Sequence, residues 1–162
     1  MLYYSKQFID DEDIAEVVKV LKSGPLTQGP KLTEFEELVS NKINIKHAIA
    51  VNSATSALHL ACMALNLKKG DYLWTSPISF VASANCGLYC GAKVDFVDID
   101  PLTGLMSILS LRSKLEVAAR ENKLPKILIP VHLSGSCCDM KVIYELSLKY
   151  GFKIIEDASH AI

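Results

Sequence analysis

Ile127-Leu128-Ile129-Pro130-Val131 and Phe152-Lys153-Ile154-Ile155 are short apolar runs separated by a helical stretch at about 140–150, and the fold class can be inferred from this arrangement. A short apolar run, a helix and a second short apolar run are typical of the strand–helix–strand unit of a parallel sheet. The same alternation occurs upstream, with strands predicted at 47–51, 72–76 and 94–97 and helices at about 55–65, 79–89 and 108–120. We therefore predict an α/β fold with a mainly parallel, five-stranded sheet sandwiched by helices.

Two amphipathic helices are predicted before the first strand. In the first, apolar residues recur at helical spacing from Ile14 to Leu21, acidic residues precede them, and Gly24-Pro25 ends the helix. The second follows Pro30 and turns Leu32, Phe35 and Leu38 to one side.

The composition is that of a globular domain with one sizeable core, since half of the 162 residues are apolar and 22% are charged. The 17 basic and 18 acidic residues nearly cancel, so no global field attracts nucleic acid or an anionic membrane. No apolar run reaches the roughly 20 residues that span a bilayer, and the N-terminus lacks a cleavable hydrophobic segment. We expect a cytoplasmic protein that binds neither nucleic acid nor membranes.

The five cysteines are Cys62, Cys86, Cys90, Cys137 and Cys138. Their odd number and their mostly apolar or small neighbours favour reduced, buried thiols. Their spacing is not that of a zinc site, and we expect no metal.

A phosphate site is one interpretation of Asn52-Ser53-Ala54-Thr55-Ser56-Ala57-Leu58, which follows a predicted strand and opens a helix. Free N–H groups and hydroxyls at a helix N-terminus bind phosphate, and small residues allow close approach. The alternative is an ordinary helix cap. The stretch is neither a Walker loop nor a GxGxxG turn.

Asp157 and His160 follow the last predicted strand. A carboxylate at the carboxyl end of a strand can pair with a protonated heterocyclic nitrogen and keep a pyridinium ring charged. The alternative is an aspartate that caps a turn beside a surface histidine.

Phe80 lies among small residues in Thr75-Ser76-Pro77-Ile78-Ser79-Phe80-Val81-Ala82, beyond another strand end. A phenyl ring in such surroundings can stack on a planar ligand, although it can also be part of the core. Because the ends of parallel strands meet at one edge, a phosphate cradle, an aromatic face and a carboxylate are predicted to converge there.

At these residues the sequence resembles the DegT/DnrJ/EryC1/StrS family of enzymes that use pyridoxal 5'-phosphate (PLP) and act on nucleotide-linked keto sugars. The resemblance covers nearly the whole chain. It is carried by Ser23-Gly24-Pro25-Leu26-Thr27-Gln28-Gly29-Pro30, Asn52 to Leu58, Thr75 to Ala82, Val94-Asp95-Phe96-Val97-Asp98-Ile99, Pro130-Val131-His132-Leu133-Ser134-Gly135 and Glu156-Asp157-Ala158-Ser159-His160-Ala161. It implies the PLP-dependent transferase fold type I, with an N-terminal helix and substrate loop in 1–30 and the first part of the large domain in 31–162.

The resemblance also implies roles for individual residues. Ser53, Ala54 and Thr55 are expected to hold the cofactor phosphate, Phe80 to stack on the pyridine ring, Asp157 to pair with its nitrogen and His160 to reach its hydroxyl. The sequence is most similar to the pseudaminic-acid branch, which aminates C4 of a UDP-linked 4-keto-6-deoxy-acetamido sugar with glutamate as amino donor. In that branch Tyr4, Gly24, Pro25, Leu26, Thr27 and Ala54 are expected to contact the sugar nucleotide, and the enzyme is expected to be a homodimer.

The family's Schiff-base lysine is expected beyond Ile162, together with the rest of the large domain and a small C-terminal domain. Lys141, Lys149 and Lys153 do not match it, so the chain alone is not expected to catalyse transamination. Two alternatives stay open: a sugar dehydratase of the same family, in which histidine replaces that lysine, and a truncated, non-catalytic binding module. A Rossmann or flavodoxin domain is disfavoured because its glycine fingerprint is missing.

Overall fold

A computed structural model describes residues 6–161 of the chain. They form two compact units, one ending at Ala50 and the other beginning at Val51. Within residues 6–161, no helix is both long and apolar enough to cross a membrane.

The N-terminal unit contains the two predicted helices, α1 (Asp11–Ser23) and α2 (Pro30–Lys42). Asp10 starts α1 through a reciprocal cap: its Oδ1 accepts the Glu12 and Asp13 N–H groups, each at 3.0 Å, and the Asp13 carboxylate accepts the Asp10 N–H. Pro30 occupies the first turn of α2, where its missing N–H costs no hydrogen bond. Neither helix has a buried residue.

The strand predicted at 47–51 is not formed, and this prediction was wrong. A strand needs a neighbour for its backbone groups. The Ala50 N–H instead donates to the Glu36 carboxylate of α2 at 2.8 Å, and Ile49 is 82% exposed. The apolar alternation of this segment is therefore not accompanied by burial within its own unit.

The second unit contains a sheet of four strands among the described residues: β1 (Tyr72–Thr75), β2 (Lys93–Phe96), β3 (Ile127–Ile129) and β4 (Lys153–Ile154). The order is β2-β1-β3-β4 and every pairing is parallel. Four helices alternate with the strands: α3 (Ala54–Ala64), α4 (Ala82–Tyr89), α5 (Ile108–Glu121) and α6 (Met140–Tyr150). A 3-10 turn, Leu133–Gly135, lies between β3 and α6.

Each face of the sheet is covered by one pair of helices. Leu73, Ile127 and Ile129 pack with α3 and α4 residues such as Leu58 and Cys86. Trp74 and Leu128 point to the opposite face, where α5 and α6 supply Leu111, Leu115, Ile143 and Leu146. Because successive side chains of a strand alternate, one sheet separates two apolar clusters. The predicted parallel α/β sandwich is confirmed.

The cysteines differ in their surroundings. Cys62, Cys86 and Cys138 are buried, Cys90 is half-buried and Cys137 is exposed in the loop before α6. The Cys86 sulfur beside Cys62, together with burial, holds the pKa of the Cys62 thiol far above its usual range. All five are free thiols, and the sequence had suggested that they are buried, which holds for Cys62, Cys86 and Cys138 but not for Cys90 and Cys137.

Candidate functional site

A cavity of about 260 Å³ lies where the carboxyl ends of β1, β3 and β4 meet the N-terminus of α3. Its lining residues come from four separated segments: Ala54, Thr55, Leu58, Ser79, Phe80, Ala82, Val131, His132, Leu133, Asp157, Ser159 and His160. The volume is close to the lower end of the roughly 300–1,000 Å³ range of small-molecule sites. The cavity therefore suits a ligand about the size of one substituted ring.

The first residues of α3, whose backbone N–H groups are potential hydrogen-bond donors, line the cavity. The first N–H groups of a helix have no intrahelical acceptor, and the helix dipole adds partial positive charge there. The Ser53 hydroxyl caps the helix by accepting the Ser56 N–H at 3.2 Å. Ala54 and Thr55, the next two residues, line the cavity. This end of α3 can hold an anionic group.

Phe80 lies in the loop between β1 and α4 and is 73% exposed although it lines the cavity. A core position is thereby ruled out for this side chain. An exposed phenyl ring at a cavity wall can stack on a planar ligand.

Asp157 is the buried carboxylate of the site, with 6% of its surface exposed. Its backbone continues the sheet beyond β4, because its N–H donates to the Pro130 carbonyl and its carbonyl accepts the His132 N–H, both at 3.0 Å. The carboxylate accepts hydroxyl hydrogen bonds from Ser83 and Ser159, each at 2.6 Å. The length is typical of hydrogen bonds between a hydroxyl and a carboxylate.

His160 is held through Nδ1 of its ring. Its Nδ1 accepts the Ser134 N–H at 3.3 Å, so the neutral ring carries its proton on Nε2 and can donate from there. Ser134 has φ of 54°, a left-handed conformation that residues other than glycine rarely adopt. At the next residue, Gly135, a Cβ atom would lie 3.1 Å from the His160 carbonyl oxygen. The strained turn thus packs directly against the segment that carries His160.

His132 is a buried cavity residue, and both of its ring nitrogens have partners. Nε2 lies 2.9 Å from the exposed carboxylate of Glu156, and Nδ1 accepts the Cys138 N–H at 3.2 Å. The ring therefore links the end of β3 to the strand end that carries Asp157 and to the loop before α6.

The other predicted site residues are Tyr4, Ser53 and the stretch Gly24 to Thr27. Gly24, Pro25, Leu26 and Thr27 form the exposed loop between α1 and α2 in the N-terminal unit. Ser53 caps α3 and does not belong to the cavity lining. Tyr4 lies outside the described residues.

Three polar residues of the site were missed from the sequence: Ser83, His132 and Ser159. Ser83 is three residues beyond Phe80 and falls on the buried side of α4, so helical spacing could have placed it beside the cavity. Nothing local in the sequence pairs it with Asp157, which lies 74 residues further along.

The family of this chain is established by its match to a protein-family model. The model of the DegT/DnrJ/EryC1/StrS aminotransferase family matches residues 7–162. The chain belongs to this family. The resemblance inferred from the motifs is thereby confirmed.

A UDP-4-amino-4,6-dideoxy-N-acetyl-beta-L-altrosamine transaminase from Campylobacter jejuni is 41% identical over 162 residues, which are 100% of this chain and 42% of the relative. Helicobacter pylori PseC, an aminotransferase involved in the biosynthesis of pseudoaminic acid, superposes with a TM-score of 0.89 at 33% identity over 98% of this chain and 42% of its own. NtdA from Bacillus subtilis, solved with bound cofactor PMP (pyridoxamine 5'-phosphate), gives a TM-score of 0.82 at 30% identity over 95% of this chain and 35% of its own.

The chain spans about two fifths of the length of the curated relatives that it matches. It shares the α/β fold of solved aminotransferases such as PseC, so the prediction of fold type I is confirmed.

Proposed function

We propose that this protein is a PLP-dependent aminotransferase that transfers an amino group from glutamate to C4 of a UDP-linked 4-keto-6-deoxy-acetamido sugar, in the biosynthesis of pseudaminic acid or a related surface glycan. The observation that carries the proposal is the buried Asp157 carboxylate, which shares one cavity with Thr55 at a helix N-terminus and with the exposed ring of Phe80. The family and its sugar transaminase members support it.

The residues of the cavity suit PLP in kind and in number. A phosphate needs backbone donors and positive potential, which the first turn of α3 supplies. A pyridine ring needs a flat apolar face, and a protonated ring nitrogen needs a buried acceptor. Thr55, Phe80 and Asp157 provide these three properties within a volume of about 260 Å³.

When bound, PLP supplies an electron-withdrawing ring that carries the amino group between donor and acceptor. Asp157 would hold the proton on the ring nitrogen, and Nε2 of His160 would donate to the ring hydroxyl. Ala54 and Thr55 would hold the phosphate together with Ser53, whose hydroxyl already caps α3.

Residues 1–162 are expected to bind PLP noncovalently. Lys141 and Lys149 lie on α6, Lys153 lies on β4, and none of them lines the cavity. We assign none of these lysines to covalent attachment of the cofactor.

The sugar nucleotide needs more surface than this cavity offers. We assign its recognition to Tyr4, Ala54 and the loop Gly24 to Thr27, with 1–30 as a substrate-binding segment and 31–162 as part of the PLP-binding domain. A cytoplasmic homodimer completes the proposal. The family resemblance supports these assignments.

The cofactor assignment is tested by titrating the chain with PLP and following absorbance and Tyr/Trp fluorescence. We expect saturable binding with the spectrum of the free aldehyde, and at least about tenfold weaker binding for Asp157→Ala, because the ring nitrogen loses its charged partner. Asp139→Ala is the matched control: Asp139 also accepts a backbone N–H, from Val142 at 3.2 Å, but caps α6 outside the cavity. Equal PLP affinity of the wild type and D157A would contradict the assignment.

The reaction is tested with the longest product that the gene encodes, incubated with glutamate, PLP and the UDP-linked 4-keto sugar. We expect a 4-amino sugar and 2-oxoglutarate in equal amounts by mass spectrometry. A dehydrated sugar without 2-oxoglutarate would assign the protein to the dehydratases of the family instead.

A further inference from the structure

Both oxygens of the Asp157 carboxylate are held by serine hydroxyls, one on each side. Ser83 Oγ donates to Oδ2 at 2.6 Å. Ser159 Oγ donates to Oδ1 at 2.6 Å, and the Ser159 N–H adds a longer bond to the same oxygen at 3.3 Å. The carboxylate therefore cannot rotate without breaking a short hydrogen bond.

The two serines are not equivalent. Ser159 is exposed and lies two residues from Asp157, so its bonds belong to the local turn. Ser83 is 1% exposed, lies in the first turn of α4 and is 74 residues away in sequence. Only the Ser83 bond fixes the carboxylate relative to a different element of the fold.

The Ser83 hydroxyl has one proton, and the distances from its Oγ to nearby oxygen atoms indicate which of them accepts the hydrogen bond. Asp157 Oδ2 lies at 2.6 Å, whereas the Phe80 carbonyl oxygen lies at 3.2 Å. With that proton donated to Asp157, the hydroxyl of Ser79 must be the donor in its 3.2 Å contact with Ser83. Ser79 lines the cavity, so a chain of hydroxyl donors runs from the cavity wall through Ser83 to the carboxylate.

The two oxygens of the Asp157 carboxylate differ in how many hydrogen bonds they can still accept from a ligand. A carboxylate oxygen accepts about two hydrogen bonds. Among residues 6–161, Oδ1 accepts two hydrogen bonds, both from Ser159, whereas Oδ2 accepts one, from Ser83. Oδ2 therefore keeps one acceptor position.

We propose that Ser83 is a positioning residue: it orients the Asp157 carboxylate so that Oδ2 accepts the N–H of the cofactor's pyridine ring. This inference rests on the proposed function and adds the atom that receives the ring proton and the residue that holds this atom. Ser83 also connects two predicted cofactor contacts, because its hydroxyl lies within 3.2 Å of the Phe80 carbonyl oxygen and donates to Asp157.

The test uses PMP, which binds without forming a bond to lysine, carrying ¹⁵N in the ring. Two quantities are measured on the chain: the PMP dissociation constant and the ¹⁵N shift, which reports whether the ring nitrogen is protonated. We expect Ser83→Ala to weaken PMP binding about tenfold, the loss of one hydrogen bond to a charged group. We also expect the protonated-nitrogen signal to be lost or reduced at neutral pH.

Ser147→Ala is the matched control. Ser147 is also a buried helical serine that donates to the carbonyl three residues before it, at 2.7 Å, but it lies on α6 and contacts no carboxylate. We expect S147A to change PMP affinity less than about twofold. Ser159→Ala is expected to weaken binding less than S83A, because the Ser159 N–H still donates to Oδ1.

Unchanged PMP affinity and a protonated nitrogen in S83A would overturn the role of Ser83 while leaving the proposed function intact. If S83A does not fold, Ser83→Thr and Ser83→Cys replace it. The threonine hydroxyl should preserve ring protonation and the weakly donating thiol should not, and equal signals from the two would overturn the proposal. Failure of both the wild type and S147A to bind PMP would instead overturn the proposed function, and this inference with it.

Discussion

His132 shows how one buried side chain can fix the backbone around a site. Its ring satisfies the Cys138 N–H through Nδ1, and this leaves the proton on Nε2, beside Glu156. Glu156 is 52% exposed, so its bond is screened by water and contributes little. The Cys138 N–H lies in a buried environment, and losing its acceptor is costly.

At this residue we predict different losses for two substitutions. His132→Ala should lower the free energy of unfolding by about 2–4 kcal/mol, because it leaves a cavity and an unpaired buried N–H. His132→Asn should lose less, since the asparagine oxygen can take the place of Nδ1. Urea denaturation of the chain measures both, and equal losses would show that ring volume, not the acceptor, is what matters.

A glycine sets the distance of helix α4 from the sheet. A Cβ atom on Gly87 would lie 3.0 Å from Val94 Cγ2 of β2 and 3.2 Å from Leu73 Cβ of β1. This close approach brings the N-terminal turn of α4, with Ser83, to the strand end that carries Asp157.

For this helix we predict that Gly87→Ala lowers the free energy of unfolding by about 1–3 kcal/mol through overpacking, although alanine is the better helix former. Adding Val94→Ala removes the Cγ2 atom that the new methyl meets. The loss in the double variant should therefore be smaller than the sum of the single losses. Thermal or urea unfolding of the four proteins tests this, and additive losses would contradict the steric explanation.

The segment at 47–51 does not form the strand that its sequence predicts. Its alternation of apolar residues is typical of a strand, yet Ile49 is exposed and the Ala50 N–H bonds to a glutamate of α2. Side-chain pattern can be recognised locally, but a strand also needs a neighbouring backbone, which the pattern does not specify.

A polar pair connects the two central strands of the sheet, β1 and β3, at their N-terminal ends, opposite the cavity. Lys126, just before β3, donates to the Asp71 carboxylate at 2.8 Å and to the Asn66 carbonyl in the loop after α3. The hydrogen bond from Lys126 is the main cause that lowers the pKa of the Asp71 carboxyl below its ordinary value, against the effect of burial.

The lowered pKa of Asp71 makes the stability of the fold depend on pH. A carboxyl whose pKa is lower in the folded state stabilises the fold above its unfolded pKa, and the contribution is lost as pH falls through the folded value. We predict that Asp71→Asn lowers the free energy of unfolding by up to about 1 kcal/mol at pH 7. The difference from the wild type should shrink in acid and at high salt, as followed by urea denaturation across pH, and a constant difference would contradict the ionic explanation.

Much of the fold and part of the candidate site can be predicted from local sequence patterns alone. Apolar runs of strand length separated by helical periods are enough to predict the parallel α/β sandwich, because such runs have few other ways to be buried. Asp157 and Phe80 could be assigned to one edge, since each follows a strand end and the ends of parallel strands coincide. Thr55 was assigned there through the strand predicted at 47–51, which is not formed, and it lines the cavity from the N-terminus of α3. Their convergence on one cavity agrees with that reasoning.

Other features were decided only by the tertiary structure. These features are the pairing of Ser83 with Asp157, the links from His132 to Glu156 and Cys138, and the unpaired state of 47–51. Each of them depends on which distant segments meet. A hydroxyl or an N–H group is equally able to bond to water, to its own turn or to a remote carboxylate. Only packing selects among these partners, because it removes water and leaves one acceptor within reach.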